Sequence, residues 1–124
     1  MSAYAAPAPN AYRESAVLTA SPERLVVLLY DGARRFLTQA SVAMAEGRHD
    51  VASDRLGRAE AIIDELLETL DLSAGEVSER LQGLYLFFRR HLFEARMHQD
   101  SERAEAVNRL MGELRDAWAE VAGA

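Results

Sequence analysis

Leu56, Ala59, Ile63, Leu66 and Leu70 recur at intervals of three and four, with Ile62 and Leu67 on their shoulders. Residues so spaced share one face of an α-helix; a strand, with its period of two, would scatter them over both faces. The remaining chain repeats the theme three times. Ser21 can cap a helix, Pro22 costs no hydrogen bond in a first turn and Glu23 favours the positive end, so a helix is expected over about 22–46 with Gly47 as its stop. Asp50 is the expected cap of the helix that reaches Leu70, and Leu72-Ser73-Ala74-Gly75 reads as a turn. A third helix, about 76–98, takes Val77, Leu81, Leu84, Phe88, Leu92 and Ala95 as its inward seam. Asp100 or Ser101 caps a fourth, about 102–122, with Val107, Leu110 or Met111, Leu114, Trp118 and Val121 facing in. Long helices joined by short turns predict an all-α, antiparallel up-down four-helix bundle.

The N-terminal residues differ. Residues 1–10 are mostly Ala, Pro and small polar residues, too poor in apolar bulk to order themselves, and read as a mobile tail. Over 11–18, Tyr12, Ala16 and Val17 share a face, which predicts a short extra N-terminal helix. Two turns are not stable alone, so it would have to dock on the body. The expected organisation is a tail, 1–10, and one domain, 11–124.

The charges exclude several functions. Fourteen basic against twenty acidic residues give a net charge of −6, which argues against nucleic acid and against an anionic membrane surface as partners. No apolar run is long enough for a membrane span, there is neither a basic n-region nor an apolar h-region of a signal peptide, and cysteine is absent; a cytoplasmic location is expected. A di-iron bundle needs paired Glu-x-x-His motifs, whereas Glu94 and His98 stand at i, i+4, His91 precedes Glu94, and His49 lies in the first interhelical turn. His91 as a phosphate acceptor is disfavoured by the bulky, acidic Leu92-Phe93-Glu94 that follows. No nucleophile elbow or Gly-rich phosphate loop occurs. No catalytic, cofactor or metal site is expected, and Arg34-Arg35 and Arg89-Arg90 read as solvated faces.

What the pattern leaves over is apolar. Leu25 to Tyr30 are six consecutive residues of apolar bulk, more than one helix face can use. A helical wheel puts Leu25, Leu29, Phe36, Ala40 and Ala43 on the inward seam of the first helix. Val26, Tyr30, Leu37 and Met44 form a flank beside it, and Val27 points away from both. On the third helix, Leu86, Phe93 and Met97 fall opposite the seam, with Phe87 between. The short N-terminal helix could cover one such patch as ordinary core, but eight residues cannot cover both. Leftover apolar surface marks a partner site, and grooves along bundle helices suit amphipathic helices from another chain. The candidate contact residues are Tyr12, Val26, Tyr30, Leu37, Leu86, Phe87, Phe93 and Met97. Tyr85 and Trp118 read as core, and Gly32 as a point of close helix approach.

The order Tyr12, Ala20-Ser21-Pro22, Leu29-Tyr30-Asp31-Gly32, Ala59, Ile62-Ile63-Asp64-Glu65-Leu66, Leu70-Asp71, Gly75-Glu76, Leu81, Leu84-Tyr85 and Leu114-Arg115-Asp116-Ala117-Trp118 resembles the flagellin export chaperone family, FliS, over about residues 10–121. The resemblance implies a cytoplasmic protein that holds the C-terminal helical segment of flagellin, prevents premature polymerisation and delivers the segment to the flagellar export apparatus. It implies no enzyme activity, and it leaves open a co-chaperone and a homodimer of the free protein. The segment around Tyr12 would then act as a lid that the client displaces. The rival reading is a helix-binding adaptor or regulator with a different client.

Overall fold

The computed structural model describes residues 20–123. Four α-helices follow one another: α1 (Pro22–Ala45), α2 (His49–Thr69), α3 (Glu76–His98) and α4 (Ser101–Gly123), with a 3-10 turn, Leu72–Ala74, between α2 and α3. No strand occurs among the described residues. Each helix packs on its neighbours in a ring, α1 most heavily on α2 and α4, as an antiparallel up-down bundle requires. The short helix expected over 11–18 and the tail before it lie outside the described residues.

The ends follow local chemistry. The Ser21 side chain accepts a hydrogen bond from the Arg24 N–H at 3.2 Å, and Pro22 opens the helix. Gly47 (φ 71°) and Gly75 (φ 112°) occupy the left-handed region at the first two of the three reversals, where a side chain would be strained, and Gln99 (φ 50°) takes that conformation at the third. Asp71 caps the 3-10 turn through the Ser73 N–H, and Asp100 accepts from the Arg103 N–H at 3.3 Å as α4 begins. Asp50 is not a cap: α2 starts at His49 and places Asp50 in its first turn, where a carboxylate still favours the helix dipole.

The core is built from Tyr30, Ala33, Leu37 and Ala40 of α1, Leu56, Ala59, Ile63 and Leu66 of α2, Tyr85, Phe88, Leu92 and Ala95 of α3, and Ala104, Val107 and Met111 of α4. The expected seam of α2 holds from Leu56 to Leu66; Leu70 lies just past the helix end and is only partly buried. The seam of α1 holds only at Ala40 and Ala43: Val27, Tyr30 and Leu37 are fully buried, while Leu29 and Phe36 are half-buried and Leu25 is exposed. α1 is clasped from two sides, and its inward arc includes the small Ala33, Ala40 and Ala43, which let α2 and α4 come close. A wheel weighted toward bulky side chains therefore points it wrongly. Gly32 is such an approach point, since a Cβ there would lie 3.3 Å from Ile62 Cδ1. On α3, Val77 and Leu84 are exposed and Tyr85 takes the core place expected of Leu84; on α4, Met111 is buried while Leu110 and Val121 are exposed.

Inside the core the Tyr30 and Tyr85 hydroxyls share a hydrogen bond of 2.6 Å. Burial pushes both phenols above their ordinary range, and for Tyr30 the Tyr85 hydroxyl adds to the shift. Their folded-state pKa values lie above the unfolded ones. The stability they contribute is thus complete below about pH 10 and is lost as the pH rises beyond it. Melting temperature should fall above about pH 10, and the Tyr30→Phe/Tyr85→Phe double variant should show a shallower alkaline fall. Equal slopes would mean that other groups govern it.

Candidate functional site

α3 is held by polar bonds on both flanks. Toward α2, Arg89 donates to Glu60 at 2.7 Å and to Asp64 at 2.8 Å, and Arg96 donates to Glu60 at 2.8 Å. Toward α4, Glu94 pairs with Arg103. Arg89 is therefore a half-buried bridge between helices, not part of a solvated face. Arg34 is another, donating from α1 to Asn108 of α4 at 2.7 Å; Arg35 and Arg90 do face solvent. Glu60 is buried although charged, because two guanidiniums occupy its oxygens.

With those flanks fixed and Tyr85, Phe88, Leu92 and Ala95 turned inward, the opposite face of α3 meets water. Leu86, Phe93 and Met97 lie there, 49%, 45% and 60% exposed. The Arg96 guanidinium sits 5.4 Å from the Phe93 ring centroid and turns that ring's face toward the α2 side. Phe87, 42% exposed, lies on the α4 side, stacked on His91 at 4.5 Å. Leu84 and Leu110 extend the exposed apolar surface there. The spacing hinted at the second of these, since Leu110 and Met111 compete for one inward position.

The other candidates part company. Val26 is half-buried at the far end of the bundle, where it lines a groove of about 350 Å³ with Leu25, Leu29, Leu70, Leu81 and Trp118. Tyr30 and Leu37 are 0% exposed and belong to the core, so the flank assigned to α1 is not a surface. The cause is the mis-set phase of α1: its true inward arc runs through those two residues. Tyr12 lies outside the described residues. The histidines come together nowhere, and among the described residues no group of three His, Cys, Asp or Glu side chains could hold a metal.

A family model described as "Flagellar protein FliS" matches residues 4–124. The chain belongs to the FliS family. It is 36% identical over 123 residues to the flagellar secretion chaperone FliS of Escherichia coli, covering 94% of this chain and 90% of that one. It is 34% identical to the Salmonella typhimurium protein of the same name, over 87% of this chain and 82% of the relative. A solved structure, "Crystal structure of flagellar chaperone from bacteria", superposes with a TM-score of 0.76 over 93% of this chain and 97% of its own; at 15% identity it speaks to the fold alone. FliS is a family of chaperones, not of enzymes. No described helix is long and apolar enough to cross a membrane.

Proposed function

We propose that this FliS-family protein is a cytoplasmic chaperone that binds the disordered C-terminal helical segment of flagellin along the exposed face of α3. The carrying observation is the stripe Leu86, Phe93 and Met97, which stays in water although the core behind it is complete. A folded, autonomous protein gains nothing from such a stripe; a partner that removes it from water does. The spacing, seven and then four residues, is that of one helix face, so an amphipathic helix laid alongside would meet all three. Met97 adds a side chain that adapts to different partner contours. Ordering a disordered segment is costly, and the contact area that offsets it is on the order of 1,000–3,000 Å². One stripe is too small for that, and the exposed Phe87, Leu84 and Leu110 offer further apolar surface for a client that wraps round more than one face.

Covering the apolar face of the flagellin segment keeps it from pairing with other monomers and leaves it extended enough for export. Delivery to the export apparatus, with or without a co-chaperone, belongs to the same reading, as does self-association of the free protein through an uncovered stripe. Titration calorimetry with a flagellin C-terminal peptide tests it. Leu86→Asp and Phe93→Asp should each weaken binding at least about tenfold, or roughly 1.4 kcal/mol, with helicity and melting temperature nearly unchanged. Undiminished affinity in both variants would remove α3 from the interface, and no binding by the parent protein would leave the client to be sought elsewhere.

A further inference from the structure

The formal charge of the chain is not spread along the bundle. The ends of all four helices that meet around Pro22, Leu70, Val77 and Trp118 comprise residues 20–30, 65–80 and 113–123. These hold nine carboxylates against three arginines, a balance of −6 and thus the whole net charge of the protein. The remaining residues, 1–19, 31–64, 81–112 and 124, balance to zero. Arg80 is engaged with Glu76 at 2.6 Å and Arg115 with Asp31 at 2.8 Å, so two of the three cations at this end already have partners.

The 350 Å³ groove opens at this acidic end. Its floor is apolar: Leu25, Val26, Leu29, Leu70, Leu81 and the indole of Trp118. Its wall carries Glu23 and Asp71, the latter held well below the usual carboxylate range by its hydrogen bonds from Ser73 and so reliably anionic. Val77 stands on the lip, 72% exposed, which is why it fails as a seam residue. An apolar floor within a strongly negative end selects by two criteria at once. Apolar anchors enter the groove, and cations beside them meet the acidic rim, which also speeds encounter over a Debye length of about 8–10 Å.

We infer that this groove is a docking site for a short, cationic amphipathic segment of another protein, separate from the α3 stripe. The stripe lies in the second half of α3, between Leu86 and Met97, whereas the groove touches only its first turns, at Val77, Ser78 and Leu81. A partner could therefore engage the acidic end while a client covers the stripe.

Trp118 is the chain's one tryptophan and lines the groove, so its fluorescence reports occupancy directly. The probe is a synthetic amphipathic peptide without tryptophan, with Leu and Phe on one face and Lys on the other, beside a control carrying Glu for every Lys. In the full-length protein the Lys peptide should shift Trp118 emission saturably and the Glu peptide should not. Raising salt from about 50 to 300 mM should weaken binding about tenfold. Glu23→Gln with Asp71→Asn should weaken it by a similar factor while keeping the Asp71 cap position polar. Val77→Asp should abolish it, and Phe93→Asp should leave it unchanged. Equal response to both peptides, or loss in Phe93→Asp with retention in Val77→Asp, overturns the assignment. A flat titration also overturns it; that is the result expected if residues 1–19 or a second copy of the chain already fill the groove.

Discussion

Phe88→Ala is expected to lower the free energy of unfolding by roughly 3–5 kcal/mol, whereas Phe87→Ala, at the preceding position, should cost under about 1 kcal/mol. The two residues have the same chemistry and the same helix. Phe88 is fully enclosed among core residues of the bundle, so truncation both forfeits buried apolar area and leaves a void that a packed interior closes only in part. Phe87 keeps much of its ring in water and loses mainly its stack on His91. Against a total stability of about 5–15 kcal/mol, the first change is a substantial fraction of the whole. Urea unfolding followed by helicity measures both, and comparable losses would show that the inward direction of α3 is misplaced.

Glu60→Ala should destabilise the bundle by about 2 kcal/mol. Removing one partner from a buried ion pair commonly costs about 3–5 kcal/mol, because the remaining charge is left uncompensated. Here Arg89 and Arg96 retain about a third of their side-chain surface in water, 38% and 34%, so solvent takes up part of the loss. Glu60→Gln should fall between Ala and the parent, since it keeps one acceptor for the guanidiniums. Glu76→Ala is the comparison: its pair with Arg80 stands in solvent and should contribute less than about 0.5 kcal/mol. Thermal melts of the three variants decide it, and a Glu60→Ala protein as stable as Glu76→Ala would show that the buried bridge contributes little.

The helices were legible because their ends are written in residues with one local meaning: Ser21-Pro22, Gly47, Gly75 and Asp100. The inward face of α2 was legible too, since its charged residues alternate cleanly with Leu56, Ala59, Ile63 and Leu66. α1 was not. Six apolar residues in succession carry no phase; Ala40 and Ala43 fall on the expected seam, but the bulky Leu25, Leu29 and Phe36 draw its direction away from Val27, Tyr30, Ala33 and Leu37. That error turned Tyr30 and Leu37 outward. On α3 the exposed stripe survived a similar error, because Leu86, Phe93 and Met97 lie far enough from the seam that exchanging Leu84 for Tyr85 as an inward residue does not move them inside. Glu60 was illegible for another reason. A buried carboxylate is stabilised by arginines 29 and 36 residues away, and nothing local announces them. The acidic groove likewise depends on all four helices and exists only once they are assembled.

A bundle whose α3 alone is 23 residues long is a rod of about 35 Å. With every unbalanced charge at one tip, it has a large electric dipole along its axis, and any charged surface exerts a torque on it. A positively charged surface draws the negative tip toward itself and leaves the electrically balanced remainder, which bears Phe93 and Met97, turned away. The molecule thus arrives at such a surface already oriented, before any contact is made.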